Sequence, residues 1–281
     1  MNLWIALGIG LVGCVLLYFL TYSLPKTVWV YWDSETLPPL IARIRTYNAE
    51  RLHGWTVRWL HRGILPSYIP EAAFPVGYET LSVQHKADWI RLYLLNRYGG
   101  CWLDAAIVLN DPTALDRIWS QSVVQRSALT AFATGTKTFV HSSGTTLPLV
   151  VDNWFLLAPR GSEVIRRWFS EYTAAVEMGF LAYKRKAVLD GVNISGIRFR
   201  SEEDIYLTQH ICIEKILQKD LPILPSMVFL HSKDSMFRLQ LECGWKEDCF
   251  RHRFLEPATK NLPYIKLIGA NRDTSLLPYF E

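Results

Sequence analysis

Twenty uncharged residues, Leu3 to Tyr22, open the chain, and only after them do polar and apolar positions begin to alternate. A helix crosses a bilayer's hydrocarbon core in about 20 residues. Trp4, Tyr18 and Tyr22 stand where aromatic side chains favour the two interfaces. The pattern predicts a retained transmembrane anchor over residues 1–25 and a separate domain over residues 26–281. A cleaved signal peptide is the other reading. Against it stand the length of the apolar run, the lack of Lys or Arg before it and the lack of a small-residue cleavage site.

Beyond Pro25 the rhythm changes. Thr27 to Trp32 is β-branched and aromatic, which predicts a strand ending at Asp33-Ser34, two good N-cap residues. Leu40, Ile41, Ile44 and Tyr47 then fall on one helical face. Trp55 to Leu60 reads as a second strand, and strand, helix, strand is the opening of an α/β sheet. Residues 61–80 are rich in Pro and Gly and read as a loop. Trp89, Leu92, Tyr93 and Leu95 give a helix over Leu81 to Tyr98, stopped by Gly99-Gly100. "CWLDAAIVL" is a buried strand carrying Asp104. "SALTAFAT" and "VDNWFLLA" are further strands, and "GSEVIRRWFSEYTAAVEM" is an amphipathic helix capped by Ser162. "SEEDIYLTQHICIEKILQ" is another helix, and "LPILPSMVFL" a strand broken by Pro225. The tail from Lys233 onward shows no regular rhythm.

Composition narrows the class. Half of the 281 residues are hydrophobic, ample for one sizeable core. A net charge of +4, spread along the chain, is no nucleic-acid footprint. The Lys184-Arg185-Lys186 cluster reads as a solvated helix end, with anionic lipid as the alternative contact. Five cysteines show no metal-ligand spacing. Cys101 and Cys212 fall in buried patterns, whereas Cys243 and Cys249 can close a small loop in an oxidising compartment.

The nucleophile-elbow, zincin, phosphate-loop and dinucleotide motifs are absent. What remains is a spacing. Asp88 and Arg91 are one helical turn apart, and Asp104 follows at a strand end, where open α/β sheets gather ligands. The three could surround one polar ligand. From spacing alone the plainer reading is a helix-surface ion pair and an Asp that starts a turn.

"HKADWIRLYLLNRYGGCWLDAAIVL" resembles the signature of family 32 glycosyltransferases, in particular the capsular polysaccharide synthesis branch. "KTVWVYWDSE", "DNWFLLAPRGSEVI" and "YLTQHICIEKIL" match further segments in the right order. The resemblance implies a GT-A fold, a Rossmann-like mixed sheet flanked by helices. It implies transfer of a glycosyl residue, with retention of configuration, from a nucleotide sugar to a hydroxyl of a glycan or glycolipid, with a UDP-sugar preferred over a GDP-sugar. Asp88 and Arg91 match positions that hold donor-sugar hydroxyls. Asp104 matches the first acid of the Asp-x-Asp motif. Val30, Tyr31 and Trp32 match the place of the nucleotide base, and Asp152 and Asn153 are expected to face the donor sugar.

One position departs from the pattern: Ala106 stands where the second acid of Asp-x-Asp holds a metal. A hard cation wants several oxygens, so Asp104 with His231, and Asp234 beside it, is the expected Mn²⁺ or Mg²⁺ site. His231 also reads as a loop histidine, and Lys233 or Arg238 as a replacement for the metal's charge. Glu202, Glu203 and Asp204 are expected to open a helix, where acids suit its dipole. His210 is expected in the core. Asn193-Ile194-Ser195 is a glycosylation sequon. The first expectation is a membrane-anchored glycosyltransferase, on a Golgi-type membrane with a lumenal domain in a eukaryote or on the cytoplasmic face of the inner membrane in a bacterium. The second, motivated by Ala106, is a catalytically inactive binding or scaffold subunit of a glycosylation complex.

Overall fold

The computed structural model describes residues 22–138, 146–219 and 227–281. Of the expected anchor only its last residues fall among these, and among the described residues no helix is long and apolar enough to cross a membrane. The domain is α/β. Its elements, in chain order, are β1 (Thr27–Tyr31), α1 (Pro39–Ala49), β2 (Thr56–Leu60), α2 (Val83–Tyr98), β3 (Gly100–Leu103), β4 (Ile107–Leu109), α3 (Ala114–Val124), β5 (Leu129–Thr138), β6 (Thr146–Ala158), α4 (Glu163–Met178), α5 (Phe180–Leu189), α6 (Thr208–Lys219), β7 (Met227–His231), α7 (Arg238–Glu242), α8 (Glu247–Phe254) and β8 (Tyr264–Lys266).

Six strands form one mixed sheet in the order β2-β1-β3-β6-β5-β7, and β4 pairs with β8 in a small second sheet. β1 is parallel to β2 and β3, β6 is antiparallel to β3 and β5, and β5 is parallel to β7. Five of the six strands therefore point their carboxyl ends to one edge. Alternate residues feed two cores. Trp29 and Trp102 pack with Trp89, Trp168 and Tyr172 on the side of α2 and α4. Val28, Val30, Cys101 and Leu103 pack with Ile41, Ile44, Phe132 and Phe254 on the other. Burial on both faces explains why these strands read as nearly continuous apolar runs.

Gly99 and Gly100 turn α2 into β3 and both have positive φ, 68° and 100°. A Cβ on Gly99 would stand 2.5 Å from the Arg160 nitrogen, and one on Gly100 2.6 Å from the Thr27 carbonyl oxygen. No other residue type fits there without backbone movement.

Several expectations are corrected. "CWLDAAIVL" is two strands in different sheets, because the chain turns at Asp104-Ala105-Ala106 and the Ile107 amide donates to the Asp104 carbonyl at 3.1 Å. Pro38, not Asp33 or Ser34, precedes α1; the Asp33 carboxylate accepts from the Tyr31 hydroxyl at 2.6 Å instead. Residues 201–207 are not helical: the Asp204 side chain accepts from the Arg200 and Tyr206 amides, each at 2.9 Å, in a turn ahead of α6. Of the Lys184-Arg185-Lys186 cluster, Arg185 and Lys186 are exposed near the helix end as expected, but Lys184 is buried, donating to the Glu202 and Asp204 carbonyls at 2.8 and 2.9 Å with its amine over the Phe199 ring. The tail is ordered: it carries α7, α8 and β8, and a Cys243–Cys249 disulfide with Cα atoms 5.5 Å apart. Cys101 and Cys212 are buried and free.

Candidate active site

Ser82 starts α2 by accepting the His85 amide on its hydroxyl. Two turns on, Asp88 and Arg91 point inward and are both buried. The Arg91 guanidinium is the hub. Its Nη1 donates to Asp88 Oδ1 and, at 2.7 Å, to Gln209 Oε1; its Nη2 donates to Asp104 Oδ1 at 3.1 Å. It also lies 5.0 Å over the Trp102 ring. A planar fork can serve three acceptors in one plane, which a lysine amine cannot.

Asp104 stands where β3 ends, its amide held by the Trp154 carbonyl of β6 at 2.9 Å. The Trp102 indole donates to its Oδ1 at 2.9 Å. The Lys266 amine donates to its Oδ2 at 2.8 Å. Lys266 arrives through the β4–β8 ladder, opposite Ile107, and the next residue's amide closes on the Ala106 carbonyl at 2.8 Å. Burial works to raise the Asp104 pKa, but the charges of Lys266 and Arg91 outweigh it and hold the carboxyl below the usual range. The Asp104 side chain keeps 27% of its surface exposed and Lys266 13%, so solvent reaches the pair.

Neighbours complete the cluster. Asn153 on β6 donates to Asp88 Oδ1 at 3.1 Å and to Gln209 Oε1 at 2.7 Å. Gln209, in the first turn of α6, donates back to the Asp88 carbonyl at 2.7 Å, and its own carbonyl accepts from the Trp168 indole at 2.9 Å. The Tyr172 hydroxyl donates to the His85 carbonyl at 3.3 Å and lies 3.5 Å from Asp88 Oδ2. Burial pushes the Asp88 pKa up to about 6 despite the attraction of Arg91. Asp152 points to the opposite face of β6, where the Ser232 hydroxyl donates to it and Thr134 Oγ1 lies 3.5 Å away. Burial lifts this carboxyl to about 6 as well. Tyr206, exposed, lies with its ring 6.4 Å from that of His85 at the start of α2.

The structure thus brings together Asp88, Arg91, Asp104 and Asn153, and sets Asp152 on the other face of β6, where the Lys266 charge also acts on it. His210 is buried as expected, but its Nδ1 finds no hydrogen-bond partner among the described residues, and burial and then Arg91 push its pKa down to about 4. Val30 and Tyr31 are buried at the end of β1 beside β3, and Trp32, after them, is partly exposed. The pairing of Asp104 with His231 is not formed. β6 and β5 separate β7 from β3, a lateral offset of roughly 14 Å. His231 is exposed and makes no hydrogen bond or ion pair with Asp104. Asp104 is the lone acid of its turn, each of its oxygens already accepts from a cationic or indole donor, and the side chains of Ala105 and Ala106 are only methyl groups. Among the described residues no group of three or more His, Cys, Asp or Glu is placed to hold a metal. This donor set does not fit a divalent cation.

Lys266, Gln209, Trp102 and Tyr172 are the members that sequence reading missed. Gln209 sits one residue before His210 in a segment already matched to a family helix, so a signal was at hand. Lys266 lies in the tail, where no pattern pointed to it.

The carboxylate–guanidinium cluster thus stands at the carboxyl edge of the sheet, the edge at which open α/β sheets gather ligands. The chain belongs to the capsular polysaccharide synthesis protein family, whose model matches residues 21–172. It is 28% identical over 161 residues to the O-glycosyltransferase PaGT of Phomopsis amygdali, an overlap of 52% of this chain and 38% of that protein. It is also 28% identical over 159 residues to the O-glycosyltransferase braB of Annulohypoxylon truncatum, 51% of this chain and 36% of that protein. The matches span less than two fifths of these curated relatives. A solved structure titled PaToxG Glycosyltransferase overlaps 96% of this chain and 92% of its own at a TM-score of 0.42 and 11% identity, too loose an overlap for any residue to be carried over.

Proposed function

We propose that the domain is a GT-A glycosyltransferase that moves a sugar from a nucleotide-sugar donor to an acceptor hydroxyl. The observation that carries it is the convergence of Asp88, Arg91, Asp104, Asn153 and Gln209 at the carboxyl end of β3. Vicinal sugar hydroxyls both donate and accept, so they need carboxylates and fixed N–H donors side by side. Asp104 and Asp88 supply acceptors, and Arg91 and Asn153 supply donors whose geometry Gln209 and Trp168 hold in place. Trp32, at the end of the neighbouring parallel strand, offers a ring for the nucleotide base. The family 32 assignment, retention of configuration and preference for a UDP-sugar are carried from the signature's resemblance, and a glycan or glycolipid acceptor from the family's name.

The test is nucleotide release by the full chain in detergent, with a panel of UDP- and GDP-sugars and a mixed acceptor set. At least one donor is expected to turn over. Asp104→Asn and Arg91→Lys are each expected to lower kcat/KM by about 100-fold or more without loss of fold. Failure of every donor, with no nucleotide bound, would sink the reading. Near wild-type turnover by either variant would move the site elsewhere.

A further inference from the structure

Building on that reading, we infer that Lys266 takes the place of the divalent cation, touching the donor diphosphate and stabilising it as it leaves. Three observations carry this. First, the β4–β8 ladder sets Lys266 opposite Ile107, so its amine lies against the turn in which Ala106 replaces an acid. A cation bridging the carboxylate at the end of β3 and an incoming diphosphate must stand beside Asp104. That place is filled by an ammonium 2.8 Å from Asp104 Oδ2. Second, the amine is held and not merely near. The Lys266 amide donates to the Met236 carbonyl at 3.1 Å, its carbonyl accepts from the Gln240 amide, and its Nζ lies 5.7 Å over the Trp154 ring. Only one of its three N–H donors is used by Asp104, and the side chain keeps a path to solvent. Third, the same tail brings a second cation. Arg272, six residues beyond Lys266, is exposed and forms no ion pair among the described residues.

The chemistry balances without a metal. The bond from the sugar's C1 to the β-phosphate oxygen breaks, and its electron pair stays on the diphosphate. The acceptor oxygen forms the new bond to C1, and its proton is released to solvent. The leaving group gains one negative charge in the transition state, and a preorganised cation beside the breaking bond stabilises that charge more than the ground state. Asp104 orients the amine and cannot add a second ligand set for a cation that wants six oxygens.

The experiment is calorimetric binding of UDP and GDP to the full chain in detergent, in EDTA and in Mn²⁺, with Lys266→Ala, Lys266→Arg and the wild type. Circular dichroism melts confirm the fold of each. Wild-type affinity is expected to be equal within twofold in EDTA and Mn²⁺. Lys266→Ala is expected to bind at least tenfold more weakly in EDTA, and Lys266→Arg within about threefold of wild type. The same order is expected in nucleotide-sugar turnover. Wild-type binding that requires Mn²⁺ would overturn the inference and leave the glycosyltransferase reading standing. So would unchanged binding by a folded Lys266→Ala. Absence of nucleotide binding under both conditions would remove the glycosyltransferase reading and the inference with it.

Discussion

Replacing Asp88 by Asn should make the fold more stable while destroying the site. Burial lifts the Asp88 carboxyl from 3.8 to about 6 in the folded protein. The native state therefore holds this proton more tightly than the unfolded chain does. The stabilisation is fully present below about pH 4 and is lost as pH rises through about 6. At pH 8 the ionised carboxylate costs about 3 kcal/mol relative to its protonated form. Asparagine removes that cost and keeps the contacts. Its carbonyl oxygen can accept from Arg91 Nη1 and Asn153 Nδ2, as Oδ1 does now, and its amide can donate to the Tyr172 hydroxyl oxygen. The assay is urea unfolding followed by tryptophan fluorescence at pH 5 and pH 8. The stability gap in favour of Asp88→Asn is expected to widen by roughly 1–2 kcal/mol between the two pH values. A gap that stays constant, or a variant less stable at both, would refute the account of Asp88 as a strained carboxylate. Donor turnover should fall in the same variant, since a neutral amide cannot match a carboxylate's two acceptors toward sugar hydroxyls.

Gly100→Ala forces a Cβ to 2.6 Å from the Thr27 oxygen at a φ of 100°, so a loss of about 3 kcal/mol or more in urea is expected. Gly161→Ala shares a positive φ but meets nothing within 4 Å, and should cost only about 1–2 kcal/mol; equal losses would refute the steric account. The apolar run of residues 3–22 is proposed to tether the domain, so the full chain should stay in carbonate-washed membranes while a chain starting at Tyr22 leaves them. A full chain that washes off would end the anchor proposal.

The parts legible in the sequence are those where one local rhythm decides the outcome. α4 was read to its ends because Ser162 caps it and its apolar stripe is unbroken. Asp88, Arg91 and Asp104 were legible because helical spacing and a strand end are short-range facts. Lys266 was not, because it meets Asp104 across 162 positions of chain, and a three-residue strand carries almost no periodicity. The split of "CWLDAAIVL" was hidden by composition. Ala105 and Ala106 are buried like the strand residues around them, so hydrophobicity stays level through a turn. His231 misled for a topological reason. It does end a strand with the right direction, but sheet order, which local patterns do not encode, puts that strand at the sheet's edge, three positions from β3.

The β4–β8 ladder also bears on how the protein is made. Among the described residues it is the last strand pairing in chain order, and it joins the turn at Asp104 to a lysine 162 positions further on. A ribosome exposes Asp88, Arg91 and Asp104 long before Lys266 leaves the tunnel, and contacts of such separation close late. A nascent or prematurely ended chain can therefore assemble most of the main sheet and yet leave Asp104 without its cation. On the reading of Lys266 above, a chain that stops before β8 lacks that cation, and with it the Ile265 and Tyr279 packing of the second core.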